Sequence, residues 1–303
     1  MKLQKDRIYE LIVGTEDDAV IIRDLQVKFK ITKSSNNKDK KNDAYVEIYN
    51  LSPERRKALE QDYVQVALSV GYVDTGLKPL FSGQVVNTST TKIDKFLTKR
   101  NNTDLVTKLN IDELYTQMNG RAIKGLVPAG KSVKDAVLYA VKDMPEVTTY
   151  NIGGEGVKRT LVDGYPISGT PRKILDDLSR AYDIEWQIDG GVLTVSDQEG
   201  AYTDNTNDVY VIGQMSGLIE RPEFNSGDTK KVKKKDGEAA KGKKVKDALK
   251  MKILLNPDIT AGSVIKLEFE ELTGFYKVNE IIHEGDYRGN EWTSTITCIE
   301  KEG

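Results

Sequence analysis

Apolar and polar residues alternate along the first hundred positions of the chain. Leu25, Val27, Phe29 and Ile31 are separated by single polar residues, the pattern of a strand with one buried face. Similar patterns predict strands at 45–51, 64–72, 81–86 and 105–111. Ser52 can cap a short helix that begins with Pro53 and runs to about Gln61. Residues 1–111 are therefore predicted to form a small barrel or sandwich.

The period of the pattern changes between residues 112 and 200. Apolar residues recur at helical spacing after Ser132 and after Thr170, and both residues are suited to an N-cap. A strand is expected at 184–188, and the two glycines at 190–191 predict a tight turn into a hairpin. Residues 112–200 are therefore predicted to be an α+β insert.

The last hundred residues return to strand patterning and repeat the order of elements seen at the beginning. Residues 43–53 align without gaps on 247–257, and the strands that follow occur in the same order. We interpret 1–111 and 201–303 as two copies of one β module, with cores that stayed alike and contact surfaces that diverged. The aligned pairs that keep apolar character are Tyr45/Leu249 and Leu51/Leu255, and those that do not are Val46/Lys250 and Glu47/Met251.

Charge is distributed unevenly along the chain. Ten lysines and three carboxylates between residues 230 and 250 give a local charge of +7, which leaves −9 for the remainder of a chain whose net charge is −2. The composition of 226–246 predicts a solvated loop, with ordering on an acidic partner as the alternative. This loop contains no arginine and no aromatic residue that could stack on bases, so sequence-specific binding of nucleic acid is not expected.

The sequence offers few groups for catalysis or metal binding. Cys298 is the only cysteine and His283 the only histidine, so an intrachain disulfide is excluded and a structural zinc site lacks ligands. Cys298 shares a strand face with Trp292 and is expected to be a core residue, and His283 is expected to be a hydrogen-bonded structural residue. No apolar stretch approaches the ~20 residues of a membrane span, and no signal peptide is evident. We expect no metal, no other cofactor and no enzymatic activity.

Residues 125–132 match the phosphate-binding pattern GxxxxGKS. In nucleotide-binding proteins this loop follows a buried parallel strand, and its backbone N–H groups hold the phosphates. Residues 117–124 are polar and interrupted by a glycine, which argues against such a strand. The other interpretation is a turn in which Ser132 caps a helix. We favour the turn, in which no nucleotide is bound by the four motif residues Gly125, Gly130, Lys131 and Ser132.

Three short motifs, at 254–257, 261–264 and 283–293, follow one another in the C-terminal part. In the N-terminal part they are preceded by a strand, a loop and the segment 44–52. This series resembles that of the baseplate hub proteins of contractile phage tails, in the same order across nearly the whole chain. Gly285 and Gly289 are expected to adopt positive φ, Asp286 to accept backbone N–H bonds, and Trp292 to cover the end of a barrel. The structural motif residues are Asn50, Pro53, Asn256, Pro257, His283, Gly285, Asp286, Arg288, Gly289 and Trp292.

The resemblance implies a mainly β protein with two tube-like β-barrel or sandwich modules around a small α+β region. It also implies a homotrimer that joins a sixfold tail tube to a threefold central spike and leaves a channel for DNA. The implied partners are further copies of the chain and the tail tube, central spike, baseplate wedge and tape-measure proteins. The implied place is the tail baseplate of a virion, assembled in the host cytoplasm. The Lys-rich loop is a departure from the pattern of this family. The alternatives to a baseplate hub function are a P-loop enzyme and a β-rich scaffold or adhesin outside phages.

Overall fold

The computed structural model describes residues 6–15, 18–35, 43–59, 64–94, 103–197, 209–225, 248–270 and 272–300. The protein is mainly β, as predicted. The Lys-rich segment 226–246 lies outside the described residues, so its interpretation as a solvated loop stays a prediction. No helix in the described part is long and apolar enough to cross a membrane.

The N-terminal part contains seven strands and one short helix among its described residues. Ser52 caps the helix, because its Oγ accepts a hydrogen bond from the Arg55 N–H at 3.3 Å. The helix ends at Ala58, earlier than predicted. The elements are β1 (Arg7–Gly14), β2 (Ala19–Ile22), β3 (Val27–Ser34), β4 (Asp43–Tyr49), α1 (Pro53–Ala58), β5 (Gln65–Tyr72), β6 (Gly76–Asp94) and β7 (Thr103–Asp112).

The middle part is the α+β region, in which helices α3 and α4 pack on short strands around a core of its own. Ser132 caps α3 and Thr170 caps α4, as expected from the sequence. Gly190 and Gly191 both have positive φ (58° and 78°) and form the two-residue turn of a hairpin. The elements are α2 (Tyr115–Asn119), β8 (Ile123–Val127), α3 (Val133–Val141), β9 (Thr149–Ile152), β10 (Tyr165–Gly169), α4 (Pro171–Tyr182), β11 (Ile184–Asp189) and β12 (Val192–Asp197).

The C-terminal part repeats the strand connectivity of the N-terminal part. Its elements are β13 (Tyr210–Gly213), β14 (Glu223–Asn225), β15 (Ala248–Leu254), β16 (Val264–Glu268), β17 (Gly274–Asp286) and β18 (Trp292–Glu300). Strands pair in the order β3-β4-β7-β6-β5 in the first part and β14-β15-β18-β17-β16 in the second. We call these five-strand groups the first and the second strand set. They lie in one continuous 13-stranded sheet, because β17 also pairs with β3.

A β-bulge occurs at the same place in both strand sets. It lies between Val85 and Asn87 in β6, opposite Ile111, and between Val278 and Glu280 in β17, opposite Cys298. A bulge adds one residue to one strand, so it fixes which residues correspond. Following the pairing registers outward from the bulge makes Ala44 the counterpart of Leu249, Val46 that of Met251 and Ile48 that of Ile253.

The gapless alignment of 43–53 on 247–257 is therefore wrong by one residue in these strands. Val46 is buried and Lys250 is exposed, because a slip of one residue exchanges the two faces of a strand. The difference between them does not reflect diverged contact surfaces. In the correct register Val46 and Met251 are both buried, and so are Ile48 and Ile253.

Candidate functional site: the joint between the strand sets

The two strand sets are connected by an antiparallel pairing of β3 with the C-terminal half of β17. The register runs from Ser34 opposite Glu280 to Lys28 opposite Asp286. We call this pairing, together with the connection 287–291 and Trp292 at the start of β18, the joint. Six of the ten predicted motif residues lie in it: His283, Gly285, Asp286, Arg288, Gly289 and Trp292.

His283 lies at the centre of the joint and is fully buried. Its Nδ1 is 2.8 Å from Ser294 Oγ on the neighbouring strand β18, and its Nε2 contacts no hydrogen-bonding partner among the described residues. Burial lowers the pKa of His283 to about 3, and the nearby Lys33 charge acts in the same direction. The imidazole is therefore neutral at physiological pH and serves as a packed structural group.

The two joint glycines are required by close packing. The sequence suggested a positive φ at both positions, but neither glycine adopts one. A Cβ on Gly285 would overlap the ring of Phe29, and one on Gly289 would overlap the Asp286 carboxylate. Phe29 in turn stands edge-on to Trp292, with 5.5 Å between ring centroids. Trp292 is 1% exposed and lies in the core of the first strand set, although it belongs to β18 of the second.

The connection after β17 is held by side chains from the N-terminal part. The Asp286 carboxylate accepts a hydrogen bond from Gln26 Nε2 and pairs with Lys28 Nζ at 3.0 Å, so its partners are side chains and not the expected backbone N–H groups. The Arg288 guanidinium donates to the Asp24 carbonyl at 2.8 Å. Arg7 donates to the Gly289 carbonyl at 2.8 Å, and its guanidinium lies 5.6 Å from the Trp292 ring centroid.

The other four motif residues shape the ends of β4 and β15. Asn50 adopts a left-handed conformation (φ 57°), and its side-chain Oδ1 accepts from the Leu105 N–H at 3.0 Å. Pro53 occupies the first turn of α1. The side chain of Asn256 accepts from the Asp258 N–H at 3.0 Å, which stabilises the turn that contains Pro257. The Asn256 N–H donates to Ser294 Oγ at 3.2 Å, which links this turn to the joint.

A buried polar cluster beside the joint was not predicted from the sequence. Lys33 is 7% exposed and its Nζ lies 2.7 Å and 2.9 Å from the two carboxylate oxygens of Asp189. Thr260 Oγ1 donates to the same carboxylate at 2.6 Å. Glu113 is buried nearby, and burial, with the Asp189 charge, raises its pKa to about 8. The cluster thus combines β3, the β11–β12 turn, the segment before β16 and the end of β7.

The polar face of β11 docks the α+β region onto the sheet. Glu185 forms a buried ion pair with Lys277 of β17, and their side chains are 7% and 11% exposed. Gln187 Nε2 donates to the Ala261 carbonyl at 3.0 Å. One feature of the sequence could have indicated this interface. Lys33 follows Phe29 and Ile31 at a spacing of two residues, so its side chain lies on the same buried face of the strand. A lysine at such a position requires a buried partner.

The phosphate-binding pattern at 125–132 forms a turn in which the N–H groups of Gly130, Lys131 and Ser132 already have acceptors. The strand at its start, β8, is mostly exposed and pairs antiparallel with β10 in a two-stranded sheet, so it is not the buried parallel strand of a nucleotide-binding loop. The Ser132 side chain and the Asp135 carboxylate form a capping box at the start of α3. The N–H groups of Gly130, Val133 and Lys134 donate to the carbonyls of Leu161, Arg159 and Val157 at 2.9–3.0 Å. Segment 157–161 thus lies where a phosphate would bind.

Other candidate reactive groups are also engaged in packing. Cys298 is buried in the core of the second strand set, and burial raises the pKa of its thiol. Asp176 accepts from Trp186 Nε1 at 3.2 Å, whereas its neighbour Asp177 pairs with Lys173 at 2.6 Å on the exposed side of α4. Within the described ranges, no three His, Cys, Asp or Glu side chains are placed to hold a metal ion.

Comparison with known proteins relates the fold to phage tails. No protein-family model and no curated protein matches the sequence. A tail protein from Neisseria meningitidis MC58 has a similar structure, with a TM-score of 0.65 and 10% identity over 97% of both chains. The 43 kDa tail protein of prophage MuSo2 from Shewanella oneidensis gives a TM-score of 0.62 and 10% identity over 96% of both chains.

A component of the E. coli type VI secretion system, described as structurally similar to the T4 bacteriophage tail proteins gp27 and gp5, gives a TM-score of 0.53 and 10% identity. The match covers 92% of the present chain and 74% of that chain. What the present chain shares with all three proteins is the fold.

Proposed function

We propose that this chain is a structural hub or tail-tip subunit of a phage tail baseplate, which forms a homotrimeric ring between the sixfold tail tube and the threefold central spike. The observation that carries the proposal is the doubled strand set, found within a fold that a tail protein shares over 97% of both chains. Three chains with two equivalent strand sets each would present six similar rims to the tube and keep threefold symmetry toward the spike.

The chemistry of the described residues supports an assembly role. The cysteine and the histidine are buried in packed surroundings, and in the phosphate-binding pattern the N–H groups of Gly130, Lys131 and Ser132 already have acceptors within the chain. Most of the residues that the family resemblance singled out lie in or next to the joint, which connects the strand sets.

The ring would have a channel wide enough for DNA. Outside residues 230–250 the chain carries a net charge of −9, so an acidic channel wall would repel phosphates and keep the duplex from adhering. The lysines of 226–246 would then point away from the channel. The expected partners are the tail tube, central spike, baseplate wedge and tape-measure proteins, in a particle assembled in the host cytoplasm.

Molar mass and image symmetry test this proposal. Light scattering of the purified chain should give three times the chain mass, and electron microscopy should show a closed ring with a central hole. A ring with another symmetry, or with the lysines of 226–246 lining the hole, would refute it. Phosphate release from Mg-ATP, measured on the same preparation, should stay at the level of a buffer blank.

A further inference from the structure

The long strand β17 has strand partners along both of its edges, whereas its counterpart β6 lacks a described partner along part of one edge. One edge of β17 pairs with β18, and the other pairs first with β16 and then, beyond the bulge, with β3. β6 pairs with β7 on one edge and with β5 on the other, but the β5 pairing ends at Gln84. Beyond Gln84 this edge of β6 has no strand partner among the described residues. Ser89, Thr90, Thr91 and Lys92 are exposed there.

The counterpart of β3 in the second strand set is β14, which is also an edge strand. β14 pairs with β15 on one side, and no described strand pairs with its other side. The registers make Phe224 the counterpart of Ile31, because Phe224 lies opposite Leu249 and Ile31 lies opposite Ala44. Ile31 is fully buried in the joint, whereas Phe224 is 49% exposed.

We infer that β14 of one copy of this chain pairs antiparallel with the free edge of β6 in the next copy, and so repeats the joint between chains. In the joint Ile31 lies opposite His283. The bulge makes Thr90 the counterpart of His283, so the inferred register places Phe224 opposite Thr90, Glu223 opposite Thr91 and Asn225 opposite Ser89. The inference rests on the proposed ring and names the surface that closes it.

The exposed edge of β6 has the properties that such pairing needs. An open strand edge carries unpaired N–H and C=O groups that a further strand can satisfy. Threonine and serine side chains suit a pleated edge and keep it soluble before assembly. Thr90 Oγ1 lies 3.3 Å from Thr107 Oγ1, and this pair repeats the contact of His283 with Ser294 at the equivalent positions. The next copy's Phe224 would cover it as Ile31 covers His283.

The repeated joint would be weaker than the one within the chain. The internal joint carries an ion pair between Lys30 and Glu284 at 2.8 Å. The corresponding positions are Glu223 and Thr91, which cannot form one. Rings would therefore dissociate into folded chains before the chains themselves unfold.

Cross-linking between two single-cysteine variants tests the register. Thr90→Cys and Phe224→Cys chains, co-expressed with distinguishable tags, should be joined by a thiol cross-linker with a reach of about 5 Å, the spacing of facing Cβ atoms. Neither variant alone should give this product, because Cys298 is buried. The matched control is Thr91→Cys with Phe224→Cys, whose side chains would project from opposite faces. Cross-linking of the control pair only would overturn the register.

A second variant tests the surface without relying on cysteine geometry. Phe224→Asp should convert the trimer to a monomer with an unchanged melting temperature, because Phe224 is 49% exposed. Phe275→Asp, with the same exposure on β17, should leave the trimer intact. A wild-type trimer that survives Phe224→Asp and gives no Thr90–Phe224 cross-link overturns this inference and leaves the proposed function standing. A wild-type chain that stays monomeric overturns both.

Discussion

Glu113→Gln should change how the stability of the protein depends on pH. Glu113 is buried between the end of β7 and the β11–β12 turn, and its Oε2 has no hydrogen-bonding partner among the described residues. The pKa of Glu113 is raised to about 8 in the folded protein, first by burial and then by the Asp189 charge. In the unfolded chain a glutamate titrates near pH 4.3.

The sign of the effect follows from these two pKa values. Below about pH 4.3 the carboxyl is protonated in both states, and the fold keeps its full contribution from this group. As the pH rises toward 8, the unfolded chain releases the proton and the folded protein does not, so the free energy of unfolding decreases. A shift from about 4.3 to about 8, at 1.36 kcal/mol per pKa unit, amounts to up to about 5 kcal/mol above pH 8. Glutamine cannot titrate, so the variant avoids this loss.

Urea unfolding at a series of pH values, at one protein concentration, measures the difference between Glu113→Gln and wild type. The difference should be near zero at pH 4 and should grow in favour of the variant up to about pH 8. His283, whose pKa is lowered to about 3, acts in the opposite direction below about pH 6.5, but it is present in both proteins and cancels. Glu146→Gln is the control, because Glu146 and Glu113 line one cleft together with Gly190 and Gly191, but Glu146 is exposed. Parallel profiles for wild type and Glu113→Gln would refute the reasoning.

Three further changes test the packing of the joint, the docking of the α+β region and the phosphate-binding pattern. Gly285→Ala should lower the free energy of unfolding by about 1–3 kcal/mol in urea titrations, because the added methyl group overlaps Phe29. Lys277→Met should cost about 3–5 kcal/mol by the same measurement, because it leaves the Glu185 carboxylate buried without its cation. Lys131→Ala should leave the molar mass of the assembly unchanged, and Mg-ATP should not shift the melting temperature of either protein.

Each of these three changes has its own control. Gly153→Ala introduces a methyl group with no neighbour within 4 Å, so a similar loss there would remove the steric explanation for Gly285. The double variant Lys277→Met with Glu185→Leu should recover most of the stability, and its failure to do so would show that the ion pair is not the cause. A rise in melting temperature with Mg-ATP in wild type that is lost in Lys131→Ala would identify a real nucleotide site.

Strands with one buried face could be predicted from the sequence, because an apolar residue in an alternating pattern indicates that its own position is buried. The alternation at Val27, Phe29 and Ile31 gave β3 nearly to its observed bounds. β1 was missed, although Tyr9, Leu11 and Val13 are all buried, because the apolar Ile12 interrupts the alternation between them. Helix caps were also found, because Ser132 and Thr170 act within one turn of their own position.

The joint and the polar cluster could not be predicted, because they depend on which strands meet. The sequence placed Lys33 and Asp189 on separate elements with nothing to connect them, and only the pairing of β3 with β17 brings the α+β region over Lys33. The alignment of the two modules failed for a related reason. Sequence identity favoured a gapless match of 43–53, whereas the bulges and ladder pairings place the counterparts one residue away.

The sharing of β17 between both strand sets has a consequence for biosynthesis. Arg7 and the Gly289 carbonyl that it contacts are 282 positions apart, and β3 cannot complete its pairing until β17 has been made. A growing chain on the ribosome therefore exposes one edge of β3 through most of translation. The core of the first strand set stays incomplete until Trp292 has been synthesised. Such long-range closure is slow and leaves a nascent intermediate prone to aggregate. The N-terminal half is thus the part of the growing chain that keeps an open strand edge and an incomplete core until the last strands emerge.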